Sequence, residues 1–218
     1  MLHPNTVLKF VNDDCGYGVY ANKNIPKGTI IYVKDELDIE LNPQKFSLLN
    51  PKLQEHMLTY AYLNNNGNLV LSWDNAKYVN HSCSPNTMLT AYGFDIVVRD
   101  IKEGEEITCE YGLLNIQEEL NCMCNNNDCR GIIKNTDIEK YSKPWDDEII
   151  SALNLINKIN QPLVYLIDDK NSKLLSDFIN DNKNYISVVK TKNYNLTNYF
   201  NLLLESNTLK KQILFSIS

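Results

Sequence analysis

Three short runs in this chain hold residue types that can do chemistry. Asn80-His81-Ser82-Cys83-Ser84-Pro85-Asn86 sets an imidazole beside a thiol, just ahead of an X-Pro turn. Cys122-Met-Cys124-Asn-Asn-Asn-Asp-Cys129 adds three thiols on one turn-rich stretch. Between them, Glu105-Glu-Ile-Thr-Cys-Glu-Tyr111-Gly112 ends a β-type run on a phenol. Deprotonated thiols are zinc ligands, and a structural zinc takes four ligands in a tetrahedron. Cys122, Cys124 and Cys129 can converge on one ion from a tight loop, and a fourth ligand must come from elsewhere. The plainer alternatives are incidental thiols or a disulfide, although a C-x-C pair is poorly placed to bond to itself. By itself, Tyr111 reads equally as a core tyrosine closing a strand, and His81 as a satisfied structural histidine.

The elements that must position these runs follow from pattern. Val7–Val11, Tyr17–Ala21 and Thr29–Val33 are short β-type runs, and Ile25-Pro26-Lys27-Gly28 is a turn, giving two or three antiparallel strands. Pro43 and Pro51 punctuate a short helical insert at about 35–62, in which Pro51–Tyr60 has helical spacing with proline at the first turn. His56 in that insert has no partner spacing around it. Leu69–Trp73 returns to strand and Asn75–Val79 reads as a helical turn. Met88–Tyr92 and Asp95–Arg99 form a hairpin about Gly93, and Glu106–Tyr111 is the next strand. Ile116–Leu120 reads as a helical turn. After Pro144 the apolar period becomes 3.6 (Ile149, Ile150, Leu153, Leu155, Ile156, Ile159), with breaks at Gln161-Pro162 and Asp168–Asn171 and a continuation through Leu174, Leu175, Phe178 and Ile179. From Tyr185 the pattern is ambiguous, and the apolar Tyr199–Leu204 run could pack back on the body.

Taken in order, the runs resemble the SET-domain protein lysine methyltransferases. Asn80–Asn86 is similar to that family's NHSCxPN segment, Glu105–Gly112 to its GEExxxxYG strand end, and Cys122–Cys129 with Arg130-Gly131 to its post-SET knot. Gly16-Tyr17-Gly18-Val19-Tyr20-Ala21 with Ile25–Gly28 is similar to its opening hairpin. The resemblance covers roughly 5–134. It implies a β-rich α+β fold of short β-sheets with a pseudoknot, plus a C-terminal helical appendage. In that division 1–115 is the SET domain, 116–134 the post-SET zinc-binding segment, and 140–218 the helical region. It further implies S-adenosylmethionine as methyl donor, Tyr111 as catalytic residue, and Gly16, Tyr17, Gly18, Asn80 and His81 as cofactor-binding. Cys83 would complete Cys122, Cys124 and Cys129 around a structural Zn2+. Two positions depart from the family. Lys77-Tyr78-Val79 stands where Arg-Phe-Ile is frequent, and lysine cannot reproduce a guanidinium fork. Cys109 stands where many members carry Phe or Tyr, which should leave room for higher methylation states.

Bulk properties bound the partners. Net charge is -6 overall. Residues 1–142 carry 12 Lys+Arg against 19 Asp+Glu (-7), and 143–218 carry 9 against 8 (+1). An acidic body disfavours direct nucleic-acid binding and suits a basic, lysine-containing protein or peptide substrate. The same acidity can also merely serve solubility. No apolar run is long enough to span a bilayer, and the N-terminus lacks the marks of a secretion signal. An intracellular protein, in cytoplasm or nucleus, is expected, unless it is exported without such a mark. Six cysteines in this setting read as reduced thiols. The alternative to an enzyme is a catalytically inactive SET-like, zinc-stabilised interaction module. A zinc-ribbon nucleic-acid binder fits poorly with one metal site and an acidic body. Oligomeric state and the identity of the substrate are not readable.

Overall fold

The structure, a computed structural model, describes residues 1–193. The Tyr199–Leu204 run lies outside the described residues. Strand β1 (Thr6–Asn12) turns back through Asn12, whose Oδ1 accepts from the amides of Asp14 (2.9 Å) and Cys15 (2.8 Å). This Asx turn delivers Gly16 at φ +70°, a left-handed conformation that glycine adopts without strain, into β2 (Gly16–Ala21). The turn at Ile25–Gly28 is closed by Thr29, whose Oγ1 donates to the Pro26 carbonyl (2.7 Å), and β3 (Ile30–Val33) follows.

The insert is more than helical. It contains β4 (Ile39–Leu41), α1 (Pro43–Ser47), α2 (Pro51–Tyr60), β5 (Tyr62–Leu63) and β6 (Leu69–Leu71). Asn42 and Asn50 cap the two helices by accepting from Lys45 and Leu53, each just ahead of a proline already set to helical φ. The strands make a separate sheet in the order β4-β6-β5 over a small core of Phe46, Met57, Leu63, Leu69 and Leu71.

The main sheet adds β7 (Asn80–His81), β8 (Thr87–Leu89), β9 (Phe94–Val97) and β10 (Glu106–Cys109). Its order is β1-β2-β10-β8-β9-β3, with β7 also on β10. The last of these strands therefore lies in the middle, antiparallel to β2 and parallel to β7 and β8. Beyond it the chain makes a 3-10 turn at Tyr111–Leu113, not at 116–120, and then a small ribbon of β11 (Leu120–Asn121) and β12 (Ile132–Ile133).

Helix α3 (Asp137–Leu153) starts about two turns before the proline after which the 3.6 period begins, and runs through Pro144. Both Pro144 and Lys140, whose carbonyl the proline leaves without its helical donor, are exposed, so that carbonyl is open to solvent. Helix α4 (Asp169–Asn180) is capped by Asp168, which accepts from Asn171, so that acidic stretch begins the helix. The C-terminal helices complete the principal core. Ile138, Trp145, Ile149, Ala152, Leu153 and Phe178 pack with Ile30, Met88, Tyr92, Phe94 and Ile96 of the sheet. No helix among the described residues is long and apolar enough to cross a membrane.

Candidate active site

Tyr111 owes its place to β10. The strand ends at Cys109, Glu110 remains extended, and the Glu110 carboxylate accepts from the Gly112 amide (2.8 Å), which turns the chain. Parallel pairing sets Thr108 beside Asn80 and Cys109 beside His81, so the register brings the phenol to the Asn-His pair. Tyr111 Oη donates to the Val79 carbonyl (2.9 Å) and its amide donates to His81 Nδ1 (3.2 Å). The two rings lie 5.3 Å apart. Burial raises the phenol's pKa above its ordinary value, and the neighbouring Cys109 adds to the effect. Tyr111 is thus a neutral phenol whose proton is committed to a carbonyl, leaving oxygen lone pairs free.

Asn80 Nδ2 donates to Glu106 Oε1 (2.8 Å) and to the Tyr17 carbonyl (3.1 Å), bridging β7 to the opening hairpin and leaving Oδ1 for a ligand. The three hairpin residues serve differently. Gly16 has open space where a Cβ would stand. At Gly18 that space holds Glu106 Oε1 and Asn80 Nδ2, so glycine there accommodates the chain's own side chains. Tyr17 is half exposed, with its ring 5.9 Å from that of Tyr78. His81 sits between the Cys109 carbonyl (3.1 Å from Nδ1) and Cys83 Sγ (3.4 Å from Nε2). Burial first, then the Arg130 charge, lowers its pKa to about 4, so the imidazole is neutral at neutral pH. Lys77 makes no fork. Its ammonium donates to three carbonyls as a point charge, those of Ser72, Trp73 and Asp74, the last at 2.8 Å.

All six cysteines are free thiols. The sulfurs of Cys83, Cys122, Cys124 and Cys129 lie within 4.8 Å of one another, and those of Cys83 and Cys122 are 3.6 Å apart. A tetrahedron of bonds of about 2.3 Å puts its sulfurs about 3.8 Å apart, so the set has the size and chemistry for a metal ion. The Arg130 amide points at Cys83 Sγ and the Gly131 amide at Cys129 Sγ, both at 3.4 Å. Such donors favour thiolates. Against burial, which raises it, backbone amides hold the Cys124 thiol down at about 6. Asn126 Nδ2 donates to Ser82 Oγ (2.7 Å), which ties the thiol loop to the Asn-His segment. Cys109 is buried, whereas Cys15 is exposed and stands outside the cluster.

Pattern reading overlooked the Glu110–Arg130 pair. Arg130 Nη2 donates to Glu110 Oε1 (2.6 Å), its Nη1 lies 3.3 Å from Asp137, and its guanidinium faces the rings of Tyr141 and Trp145. Glu110 is fully buried as a side chain, and among the described residues its Oε2 has no partner, nor does Arg130 Nε. The available signal was a carboxylate directly before Tyr111, just past the end of β10, together with an arginine directly after the third clustered cysteine.

Beside Tyr111 opens a cavity of about 1020 Å3. Its walls come from the insert (Tyr60, Tyr62), the sheet (Leu89, Cys109), the segment after the turn (Leu114) and the C-terminal elements (Leu174). A largely apolar cleft of this size, bordered by the Tyr111 phenol, suits a side chain threaded in from a larger ligand.

Residues 16–112 match the family model of the SET domain. Arabidopsis thaliana ASHH4 is 30% identical over 158 residues, covering 63% of this chain and 44% of that protein. Histone-lysine N-methyltransferase ash1 of Drosophila melanogaster is 29% identical over 140 residues, covering 58% of this chain and 6% of its own length. The chain thus spans less than half the length of these relatives. The methyltransferase domain of human histone-lysine N-methyltransferase SETMAR superposes with a TM-score of 0.41 at 16% identity, covering 62% of this chain and 58% of that one.

Proposed function

We propose that this chain, which carries a SET domain over residues 16–112, transfers a methyl group from S-adenosylmethionine to the ε-amine of a lysine in a protein substrate. The carrying observation is the convergence of the Tyr111 phenol, Asn80, His81 and a cavity bordered by Cys109 and Tyr111 at the end of β10. S-adenosylmethionine supplies an electrophilic methyl on a sulfonium. The open Gly16 turn, the exposed Tyr17 ring and the free Oδ1 of Asn80 suit its adenosine and amino-acid ends.

Attack requires a neutral amine, and removing the proton of an ordinary lysine at pH 7 costs about 4 to 5 kcal/mol. A cavity that excludes water lowers that cost by disfavouring the ammonium. Tyr111, its own proton held by Val79, presents lone pairs that orient the amine's N–H. It cannot serve as the base at neutral pH, because burial keeps it protonated. Alignment of the reacting atoms provides the larger share of the rate, up to about 7–11 kcal/mol.

Zn2+ at Cys83, Cys122, Cys124 and Cys129 would act structurally, locking the thiol loop onto the Asn-His segment. The post-SET segment of 116–134 is the unit it would fold. The names of the matched relatives make histone lysines the first substrates to try, inside the cell, and the chain's acidity suits so basic a target. The test is incubation of native protein and Tyr111→Phe with labelled S-adenosylmethionine, core histones and a lysate. Label from the native protein alone supports the reading. No label from either favours an inactive interaction module.

A further inference from the structure

Asp95 stands on the wall of the same cavity, and the sheet register fixes which way it faces. Directly paired residues share a face, as do residues two apart along one strand. Cys109 pairs with Thr87, and Leu89, two residues on, pairs with Asp95. Asp95 also pairs with Tyr32. Cys109, Thr87, Leu89, Asp95 and Tyr32 therefore form one surface, and all five border the cavity. Two strand spacings and two residues of rise put Asp95 about 12 Å from Cys109, Cα to Cα.

The Asp95 side chain is half-buried, and among the described residues no group donates a hydrogen bond to it. The N-terminal ammonium, whose charge reaches it, is bound to Asp35 (2.8 Å) and to the Val33 carbonyl. Lys34 is paired with Glu40 (2.7 Å). Lys170 and Lys190 border the cavity from the C-terminal elements without bonding to Asp95. Burial holds the Asp95 carboxyl up at about 7, which a cationic partner would reverse. A half-buried carboxylate without a partner, in a cleft that receives a ligand, is a site for positive charge.

We propose that Asp95 is a specificity residue that receives a basic side chain, arginine or lysine, lying within about three residues of the target lysine in the substrate chain. The spacing carries this assignment. About 12 Å is too far for contact with the reacting amine beside Tyr111, yet two to three extended residues and part of a long side chain span it. The location of the target lysine rests on the methyl-transfer reading above.

The test uses the full chain and peptides with an alanine background. A central lysine is flanked in turn by arginine, alanine or glutamate at each of the six nearest positions. Binding is followed by fluorescence anisotropy on matched peptides with norleucine at the centre, with S-adenosylhomocysteine present. Methyl transfer is followed on the lysine peptides. At one or two positions arginine should improve both affinity and kcat/KM about tenfold over alanine, and glutamate should weaken both. Asp95→Asn should bring the arginine-to-alanine ratio near one, and Asp95→Glu should keep most of it. Asp95→Ser serves as the neutral variant if the asparagine does not fold. A ratio unchanged by neutralising Asp95, or no preference in the native protein, overturns the assignment. A charge preference in binding that Asp95→Asn abolishes, without methyl transfer to any peptide, would leave the subsite standing and remove the methyl-transfer reading.

Discussion

Cys109 borders the cavity together with Tyr111, and its buried side chain is small. Space beside the reacting nitrogen lets an already methylated amine rotate and present a lone pair again. Native protein should therefore give di- or trimethylated product at full turnover, and Cys109→Phe should stop at monomethyl, as read by intact-mass spectra. Monomethyl product alone from the native protein would refute this. Cys122, Cys124 and Cys129 stood out as a possible ligand set by their own spacing, whereas Cys83 as a fourth ligand and the roles of Tyr111, Asn80 and His81 came only from the resemblance of short contiguous runs to a family. Glu110 and Arg130 were not legible, because twenty positions separate them and neither type announces burial. Only the turn at Tyr111 and the loop at Cys129 bring them to 2.6 Å. Asp95 was hidden for a related reason: as one half of an alternating hairpin it reads as an ordinary solvent-facing position.

At the scale of elements, the Arg130–Glu110 pair joins the thiol loop, the Tyr111 turn and helix α3. Removing one member of a buried pair leaves the other uncompensated and typically costs about 3–5 kcal/mol. Arg130→Ala should lose stability in that range in urea unfolding, and Arg130→Lys less. If the four clustered thiols hold the zinc proposed above, a chelator should loosen the same joint, seen as faster amide exchange at Tyr111–Leu113. Gly28 is a second joint. At φ +92° a side chain is strained, and a Cβ there would meet Leu155 Cβ at 2.8 Å and the Ala152 carbonyl at 2.9 Å. Gly28→Ala should cost more than the roughly 1–2 kcal/mol of the backbone strain alone, measured by thermal and urea melts. The turn at Pro26–Gly28 was readable from residue types, but its contact with α3 was not. Two-residue strands such as β5 and β7 are too short to show alternation. The start of α3 was masked by Pro144, whose lost hydrogen bond leaves a carbonyl open to solvent.

For the molecule as a whole, the helices after residue 136 are structural partners of the sheet. Ending the chain at residue 134 would uncover Ile30, Met88, Tyr92 and Phe94, at about 1.5–3 kcal/mol for each large side chain returned to water. Such a fragment should lose cooperative unfolding and near-UV circular dichroism. Alkaline pH offers a second whole-molecule test. Burial raises the pKa values of Tyr32, Tyr62, Tyr111 and Tyr185 above the ordinary 10. Below pH 10 folded and unfolded chains both keep these protons, and the stability is complete. Above it the unfolded chain ionises first, so stability should fall as pH rises further. Urea midpoints from pH 8 to 11 should show the decline, and Tyr185→Phe should flatten it.

The central seat of β10 has a consequence for how the chain comes into being. Strands β1 through β9 leave the ribosome before the strand that β2, β7 and β8 require, so a half-made chain holds an open gap bordered by hungry backbone amides and carbonyls. Until residues 106–109 arrive to fill that slot, any foreign extended segment can take it, and nascent chains of this protein should lean on chaperones during that interval.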